Sequence, residues 1–256
     1  MILPSSNKVF VFDLDDTGSK GLGLEISKKF LEMGWKVTSG SRTESPTSLD
    51  HQEDFLHEIT DVRDRNSVVS LLDSAVSKFG KVTCFINNSG YSEWKSLNLI
   101  SEEFLLNILQ TNLMGYFWGS QAAANILSRG DSIINVSSLA ARRGTANNSA
   151  YVASKFGVAG LTQSLSKELG SAGIRVNAVC PVFVRTDGLI NALADDLSPA
   201  KGKPDKFLSD FASEQTSLGF LPNGHDVANL CYFLAGPDAR AITGQSISVD
   251  SGVFPN

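Results

Sequence analysis

Tyr151 and Lys155 stand four residues apart, and Ser138 lies thirteen residues before the tyrosine. On a helix, side chains at this spacing share one face with their Cβ atoms about 5–6 Å apart, so a phenol and an ammonium reach the same cleft. The cation favours the phenolate form of a tyrosine, whose ordinary pKa is about 10, and this allows proton exchange near neutral pH. Ser138 adds a hydroxyl that hydrogen-bonds a reacting oxygen. These residues predict a site that reduces carbonyls or oxidises alcohols.

A tyrosine and a lysine at this spacing are, by themselves, typical of an ordinary helix surface. Whether this pair is catalytic therefore depends on the motifs that surround it. In chain order the motifs are Thr17-Gly18-Ser19-Lys20-Gly21-Leu22-Gly23, Asn87-Asn88-Ser89-Gly90, Asn112, Ser138, Tyr151 with Lys155, and Pro181-Val182. This order resembles that of the short-chain dehydrogenase/reductase family, and of its 3-oxoacyl-ACP reductases in particular. The resemblance runs over about 8–253, nearly the whole chain.

The resemblance implies a role for each residue of the group. Tyr151 donates the proton, and Lys155 lowers its pKa and bonds the nicotinamide ribose. Ser138 holds the carbonyl oxygen, and Asn112 supports a water-linked proton path near the lysine. Cofactor contacts are implied for Gly18, Ser19, Lys20, Gly21, Leu22, Gly23, Arg42, Asp61, Val62, Asn88, Tyr151, Lys155, Pro181, Val184 and Thr186, and no metal is expected.

The glycine-rich segment follows a predicted strand and opens a predicted helix. Glycine permits positive φ and close backbone approach, while a helix N-terminus presents free N–H groups to a pyrophosphate. The segment departs from the family pattern, since the loop is one residue short or shifted. Three acidic residues, Asp13, Asp15 and Asp16, also lie directly before the glycine-rich segment. Like charges 4 Å apart repel by about 1 kcal/mol in water and about 4 kcal/mol at an effective dielectric of 20, which weakens cofactor binding if the acids face inward.

The end of the second predicted strand indicates which nicotinamide cofactor is used. NAD-selective members of the family have an acid there, whereas this strand runs into Gly40-Ser41-Arg42. Lys20 precedes Gly21, so Lys20 and Arg42 could clamp a 2′-phosphate between two cations. The alternative is that both are solvated surface cations. We predict NADP(H) in preference to NAD(H).

Short apolar runs alternate with longer stretches of helical periodicity, which predicts an α/β fold with a single doubly wound, Rossmann-like parallel sheet and helices on both faces. One domain spans 1–256, and segment 188–222 is a predicted substrate lid, in which 195–222, with three prolines and Gly202, is the least ordered-looking part. The predicted strands are 9–12, 36–39, 55–59, 82–86, 132–136, 175–179 and 246–249, and the predicted helices are 23–33, 67–79, 102–127, 151–171 and 225–235.

Composition limits the classes of partner. The chain has 256 residues, is 42% hydrophobic and carries a formal charge of −5 without a long basic run. This argues against nucleic acid or an anionic membrane as partner and favours a small carbonyl or alcohol substrate. We expect a cytoplasmic protein, because no targeting segment is evident and Cys84, Cys180 and Cys231 have no metal-ligand spacing. The family resemblance implies a homo-oligomer, a dimer or homotetramer, formed through the long helices.

Two rival functions remain open. Segment 9–17, VFVFDLDDT, resembles the first motif of the haloacid dehalogenase superfamily, which would make Asp13 a Mg²⁺-binding phosphoryl acceptor and Asp15 a general acid. That site needs a further acidic pair after a strand, and Asp195-Asp196 follows a segment better suited to helix or loop. The other rival is a protein of the same fold that senses NADP(H) with little turnover. It is favoured by the unusual glycine-rich segment together with Val182, where the family usually has glycine.

Overall fold

The computed structural model describes residues 8–12, 21–44, 48–49 and 51–255. Within these residues, seven strands form one parallel sheet in the order β3-β2-β1-β4-β5-β6-β7. The strands are β1 (Lys8–Phe12), β2 (Lys36–Ser41), β3 (Phe55–Ile59), β4 (Cys84–Asn87), β5 (Ser132–Val136), β6 (Arg175–Pro181) and β7 (Ser246–Val249). Every predicted strand is present, and no boundary differs by more than two residues. The predicted fold class is therefore confirmed.

The helices of the described residues cover both faces of the sheet. They are α1 (Leu22–Glu32), α2 (Arg65–Phe79), α3 (Glu102–Leu109), α4 (Gly115–Ala124), α5 (Ser149–Glu168), α6 (Asp187–Leu193), α7 (Pro204–Gln215) and α8 (Gly224–Ala235). Successive strand residues face opposite sides, so Ile86 of β4 packs in the cluster with α1 and α8, while Phe85 packs in the cluster with α2 and α4. Burying each such side chain contributes about 1.5–3 kcal/mol.

The strand order indicates which edge of the sheet binds ligands. β1 pairs with β2 on one side and with β4 on the other, so the chain reverses its direction of winding between β1 and β4. In open parallel sheets, ligands bind in the crevice beyond the carboxyl ends of the strands at this switch point. The segments after β4, β5 and β6 therefore border the expected site.

A buried polar chain joins the two central strands to the helices behind them. Asn87 Nδ2 donates to Asn135 Oδ1 at 2.8 Å and to Ser120 Oγ at 3.2 Å. Asn135 Nδ2 in turn donates to Thr162 Oγ1 at 2.9 Å. Because all four side chains are buried, each hydrogen bond satisfies a group that water cannot reach. This chain of hydrogen bonds fixes α4 and α5 relative to the sheet.

The long helix predicted over 102–127 is interrupted. A π-helical segment, Gln110–Met114, joins α3 to α4. Such segments shift the residues that follow by one position around the helix. Asn112 lies within this segment.

Segment 188–222 contains two helices that sequence analysis did not predict. α6 is capped by Thr186, whose side chain accepts a hydrogen bond from Leu189 N at 3.1 Å. α7 begins at Pro204, a position where proline is tolerated because a first-turn N–H has no partner within the helix. The irregular structure expected over 195–222 is wrong at α7, where Pro204 begins the helix.

The described residues include no helix that is both long and apolar enough to cross a membrane. Cys84 in β4 and Cys231 in α8 are buried and free, as is Cys180 in β6. Reduced, buried thiols were expected for all three, and this is confirmed.

Candidate active site

Ser138, Tyr151 and Lys155 line one cavity at the carboxyl edge of the sheet. β5 ends at Val136, and Ser138 follows as the cap of a short 3-10 turn, Leu139–Ala141, its Oγ accepting from Ala140 N at 3.1 Å. α5 begins at Ser149, so Tyr151 is in its first turn and Lys155 follows on the same face. The strand end and the helix start thus bring all three side chains to one place.

The Lys155 ammonium is fixed by several contacts. Its side chain is only 3% exposed. Nζ donates to the carbonyl oxygen of Val136 at 3.1 Å and to the hydroxyl of Tyr116 at 3.3 Å. It also lies 5.1 Å from the centre of the Tyr116 ring and 5.8 Å from that of Tyr151. The lysine head is therefore positioned against the tyrosine that sequence analysis paired with it.

Asn112 is fully buried in the π-helical segment. Its Nδ2 donates to Tyr91 O at 2.8 Å, its Oδ1 accepts from Tyr91 N at 3.1 Å, and Nδ2 lies 3.4 Å from Ser154 Oγ. The side chain therefore holds the backbone that follows β4 and also contacts α5. Asn112 joins the two segments that flank Lys155.

The pKa values differ from the sequence-based expectation. Burial raises the pKa of Tyr151 above its ordinary value, and a hydrogen bond with Ser138 lowers it by a smaller amount. Burial lowers the pKa of Lys155 to about 8. The pKa of Tyr151 is thus raised overall rather than lowered as expected, because desolvation of the phenolate is the largest effect. Tyr151 keeps its proton at neutral pH, which suits a proton donor.

Tyr116 is a further residue of the site that was not predicted from the sequence. Its side chain is 1% exposed, and its hydroxyl donates to Val136 O at 2.6 Å. A signal was present in the spacing, since Tyr116 follows Asn112 by four residues as Lys155 follows Tyr151. A buried aromatic at such a spacing is more often core packing, so the contact with Lys155 could be found only from the structure.

A second cavity lies next to the first, at the start of α1. It is lined by Gly21 and by the charged residues Glu25, Arg185 and Asp187, and it shares Leu22, Val184 and Thr186 with the first cavity. Gly21 has φ +92°, which favours glycine, and no side chain within the described part of the chain caps this helix N-terminus. Uncapped first-turn N–H groups are free to bind an anion. Gly23 is buried within α1.

Gly90 leaves space for a bound group next to Lys155. A Cβ at this position would lie 3.2 Å from Lys155 Nζ and 3.3 Å from Asn112 Oδ1. Gly90 and Asn88 both line the cavity. The glycine therefore leaves space beside the ammonium that any side chain would fill, and the residues present fit a cofactor whose ribose reaches Lys155.

Several cofactor residues lie outside the described residues. These are Gly18, Ser19 and Lys20 of the glycine-rich segment, together with Asp13, Asp15 and Asp16. The second acidic pair of the phosphatase hypothesis, Asp195-Asp196, follows helix α6 rather than a strand, as its sequence context indicated.

Arg42 and Asp61 lie close together at the strand ends. Arg42 follows β2 directly and is exposed. Asp61 follows β3, and its pKa is lowered chiefly by hydrogen bonds from Arg63, with a smaller electrostatic contribution from Arg42. Val62 is buried against Gly115, where a Cβ would come within 2.7 Å of its side chain. None of these residues lines the two cavities.

The segment after β6 forms the opposite wall. Pro181 ends β6, and Val182 donates its N–H to Val249 O at 3.1 Å. Pro181, Val182 and Val184 line the first cavity, and Thr186 lines both cavities while capping α6. The residues inferred to seat the nicotinamide are thus adjacent to Tyr151 and Lys155.

Comparison with known proteins assigns this fold and site to a class. A family model described as enoyl-(acyl carrier protein) reductase matches residues 17–254. A diacetyl reductase ((S)-acetoin forming) of Staphylococcus aureus is 33% identical over 245 residues, covering 92% of this chain and 95% of the relative. The 3-oxoacyl-acyl-carrier-protein reductase FabG of Staphylococcus epidermidis is 33% identical over 246 residues, covering 92% and 96%. A variant of actinorhodin polyketide ketoreductase, solved with NADPH, superposes with a TM-score of 0.87 at 26% identity, covering 99% of each chain.

The chain belongs to the short-chain dehydrogenase/reductase family, with relatives that include 3-oxoacyl-acyl-carrier-protein reductase. It is an oxidoreductase that acts on a CH–OH or C=O group with a nicotinamide cofactor. The names of the relatives point to different substrates, a small diketone in one case and a carrier-bound acyl group in another. The family alone therefore does not identify the substrate.

Proposed function

We propose that the protein is an NADP(H)-dependent carbonyl reductase in which Tyr151 is the proton donor. The observation that carries this proposal is the Tyr151 phenol, which bonds to Ser138 in a cavity that also holds the buried Lys155 ammonium. A protonated phenol next to a neutral hydroxyl is suited to hold a carbonyl oxygen and then protonate it. The substrate is a ketone or secondary alcohol of low molecular weight.

The chain's own residues perform the steps around the reacting carbon. Ser138 orients the carbonyl oxygen, Tyr151 donates a proton to that oxygen, and Lys155 stabilises the resulting phenolate. Asn112 supports a path by which the proton is replaced. When bound, NADPH supplies the hydride.

The proposed preference for NADP(H) rests on two basic residues, one after β2 and one in the glycine-rich segment. Arg42 follows β2, where an acid would favour NAD(H), and Lys20 is the second proposed cation. Arg42 is an exposed residue close to Asp61, at the edge where the ribose phosphate would lie. NADPH bound to a ketoreductase of the same fold supports the same choice. Gly21, Leu22, Val184 and Thr186 complete the cofactor contacts.

The remaining parts of the proposal concern the whole molecule. Segment 188–222, with α6 and α7, forms a lid over the substrate, since Leu189 and Ala192 line the cavity. We also propose a cytoplasmic homo-oligomer, a dimer or tetramer. Phe117 on α4 and Phe156 on α5 are 48% and 47% exposed, which fits contact between subunits along these helices.

A second candidate is a protein that binds NADP(H) with little turnover. Val182 favours it, because this side chain lines the cavity where the family resemblance implies glycine. Such a protein would bind the cofactor as the reductase does and differ only in chemistry. A measurement of binding and turnover on the same preparation separates the two.

The test is a titration with NADPH and NADH, followed by Trp fluorescence because Trp94 lines the cavity. Micromolar binding of NADPH with weaker NADH binding, and NADPH oxidation with ketones, aldehydes or 3-oxoacyl thioesters, would support the proposal. Tight NADPH binding without oxidation by any carbonyl would favour the second candidate. Failure to bind either cofactor would contradict both.

A further inference from the structure

Arg143 places a positive charge in the wall of the cavity that holds Tyr151. It follows the 3-10 turn that begins at Ser138, and its backbone N–H donates to Leu139 O at 3.3 Å. Its side chain is partly exposed and lines the cavity. The arginine is therefore on the side of the site where Ser138 and Tyr151 would hold a substrate.

An aromatic cluster on the lid side supports this guanidinium. Arg143 Cζ lies 5.9 Å from the centre of the Phe211 ring. Phe211 packs edge-on against Phe183 at 5.0 Å, and both rings contact Phe207 at 5.8 and 5.4 Å. Phe183 also lines the cavity. A cation over an aromatic face is attracted by the ring, so the side chain is held across the gap between the Ser138 segment and α7.

No carboxylate of the described residues neutralises Arg143. Its guanidinium has no ion pair and no hydrogen bond with any residue that the structure describes, and no Asp or Glu of those residues lines the cavity. The neighbouring Arg142 differs, because its guanidinium donates to the carbonyl oxygen of Ser246. Arg142 thus hydrogen-bonds the backbone of β7, whereas the adjacent Arg143 lines the cavity.

The other cation of the cavity is already engaged. Lys155 donates to Val136 O and to the Tyr116 hydroxyl, and its remaining N–H is assigned to the cofactor ribose. The cavity lining combines apolar side chains, among them Trp94, Phe183, Leu139 and Leu189, with polar ones such as Ser92, Thr145 and Asn148. Although the protein carries a formal charge of −5, the described lining therefore includes a cation, Arg143, with no carboxylate partner.

We propose that Arg143 binds an anionic group of the substrate, so that the substrate class is an apolar oxo acid. This inference rests on the proposed carbonyl reductase activity and specifies its substrate. The planar guanidinium matches a carboxylate with two parallel hydrogen bonds, and the interaction is strengthened where water is partly excluded. The apolar side chains of the lining contact the segment between the carboxylate and the reacting carbonyl.

The test compares acids with their esters. Phenyl ketones with one to three methylene groups between the ketone and a carboxylate are reduced with NADPH, alongside their methyl esters. We expect wild type to prefer at least one acid over its ester. The Arg143→Gln variant should lower the acid-to-ester ratio of kcat/KM by about 10- to 100-fold, chiefly through KM. Arg143→Lys, which keeps the charge, should restore part of the ratio, and Arg240→Gln is the matched control at an exposed position.

A binding measurement separates this inference from the reductase proposal. Calorimetry with 4-phenylbutanoate and 4-phenylbutanamide, which carry no ketone, reports the anion site without turnover. Weaker binding of the acid to Arg143→Gln, with the amide bound equally by both proteins, supports Arg143 even if no ketone is reduced. Equal binding of the acid by both proteins, or an acid-to-ester ratio that Arg143→Gln does not change, overturns the inference while leaving carbonyl reduction standing. Absence of any NADPH oxidation contradicts the proposed function alone.

Discussion

The Tyr116 hydroxyl accepts a hydrogen bond from the Lys155 ammonium at 3.3 Å while donating its own proton to the Val136 carbonyl oxygen at 2.6 Å. Lys155 Nζ donates to that same carbonyl at 3.1 Å, which closes a triangle of polar atoms beneath the cavity. Burial, with a smaller effect of Tyr151, raises the pKa of Tyr116 well above its ordinary value, so this hydroxyl stays neutral. It stabilises the charged form of a lysine that burial disfavours.

We predict that Tyr116→Phe moves the alkaline limb of the pH profile to lower pH. Burial lowers the pKa of Lys155 to about 8, and the lysine is charged below that value. Activity that depends on the ammonium is therefore lost as the pH rises through about 8 in wild type. Removing an oxygen that accepts from Nζ disfavours the ammonium further and lowers this pKa. The measurement is kcat/KM for reduction against pH, which reports groups of the free enzyme.

Tyr232→Phe is the matched control for this prediction. Tyr232 lies on α8 and packs against Phe30 and Trp35, away from the cavity. The control should keep the wild-type pH profile. An alkaline limb that stays in place in Tyr116→Phe would mean that the contact with Lys155 is only packing.

Arg42→Asp should change the cofactor preference from NADP(H) to NAD(H). An acid after β2 repels a 2′-phosphate and can accept hydrogen bonds from ribose hydroxyls. The comparison is the ratio of kcat/KM for NADPH to that for NADH, which we expect to fall by at least about tenfold, or about 1.4 kcal/mol. Arg240→Asp makes the same charge change before β7, at the opposite edge of the sheet. A ratio that the Arg42 substitution leaves unchanged would exclude the clamp.

Asn135→Ala should destabilise the fold. The side chain accepts from Asn87 and donates to Thr162, both buried, so its removal leaves polar groups without partners. Leaving such groups unsatisfied costs about 1–3 kcal/mol. Urea unfolding measures the loss, and Asn191→Ala, at an exposed position on α6, should change stability by less than about 0.5 kcal/mol. Equal stability of the two variants would show that this polar chain does not hold α4 and α5 to the sheet.

The central strands β4, β5 and β6 were predictable because they are short, largely apolar runs buried on both faces, separated by turns and stretches of helical periodicity. α7 was not, because Pro204 argues against a helix until its place at the first position is known. The interruption of the long helix at Gln110–Met114 also leaves no periodic signal, since it changes the hydrogen bonding and not the residue types.

Some features of the site could also be predicted from the sequence, and others could not. Ser138, Tyr151 and Lys155 could be grouped from spacing and order, and the structure brings them to one cavity. The rise in the pKa of Tyr151 could not be foreseen, because burial is a property of the assembled walls. Arg143 was visible beside Ser138, but its support comes from Phe211, far along the chain.

The most direct test of the account is the rate of NADPH oxidation with a reducible ketone by Tyr151→Phe compared with wild type. Phenylalanine keeps the ring and removes the transferable proton. We expect turnover to fall by at least about 10²-fold, while NADPH binding followed by Trp fluorescence is largely kept. Turnover equal to that of wild type would contradict the assignment of Tyr151 as the proton donor.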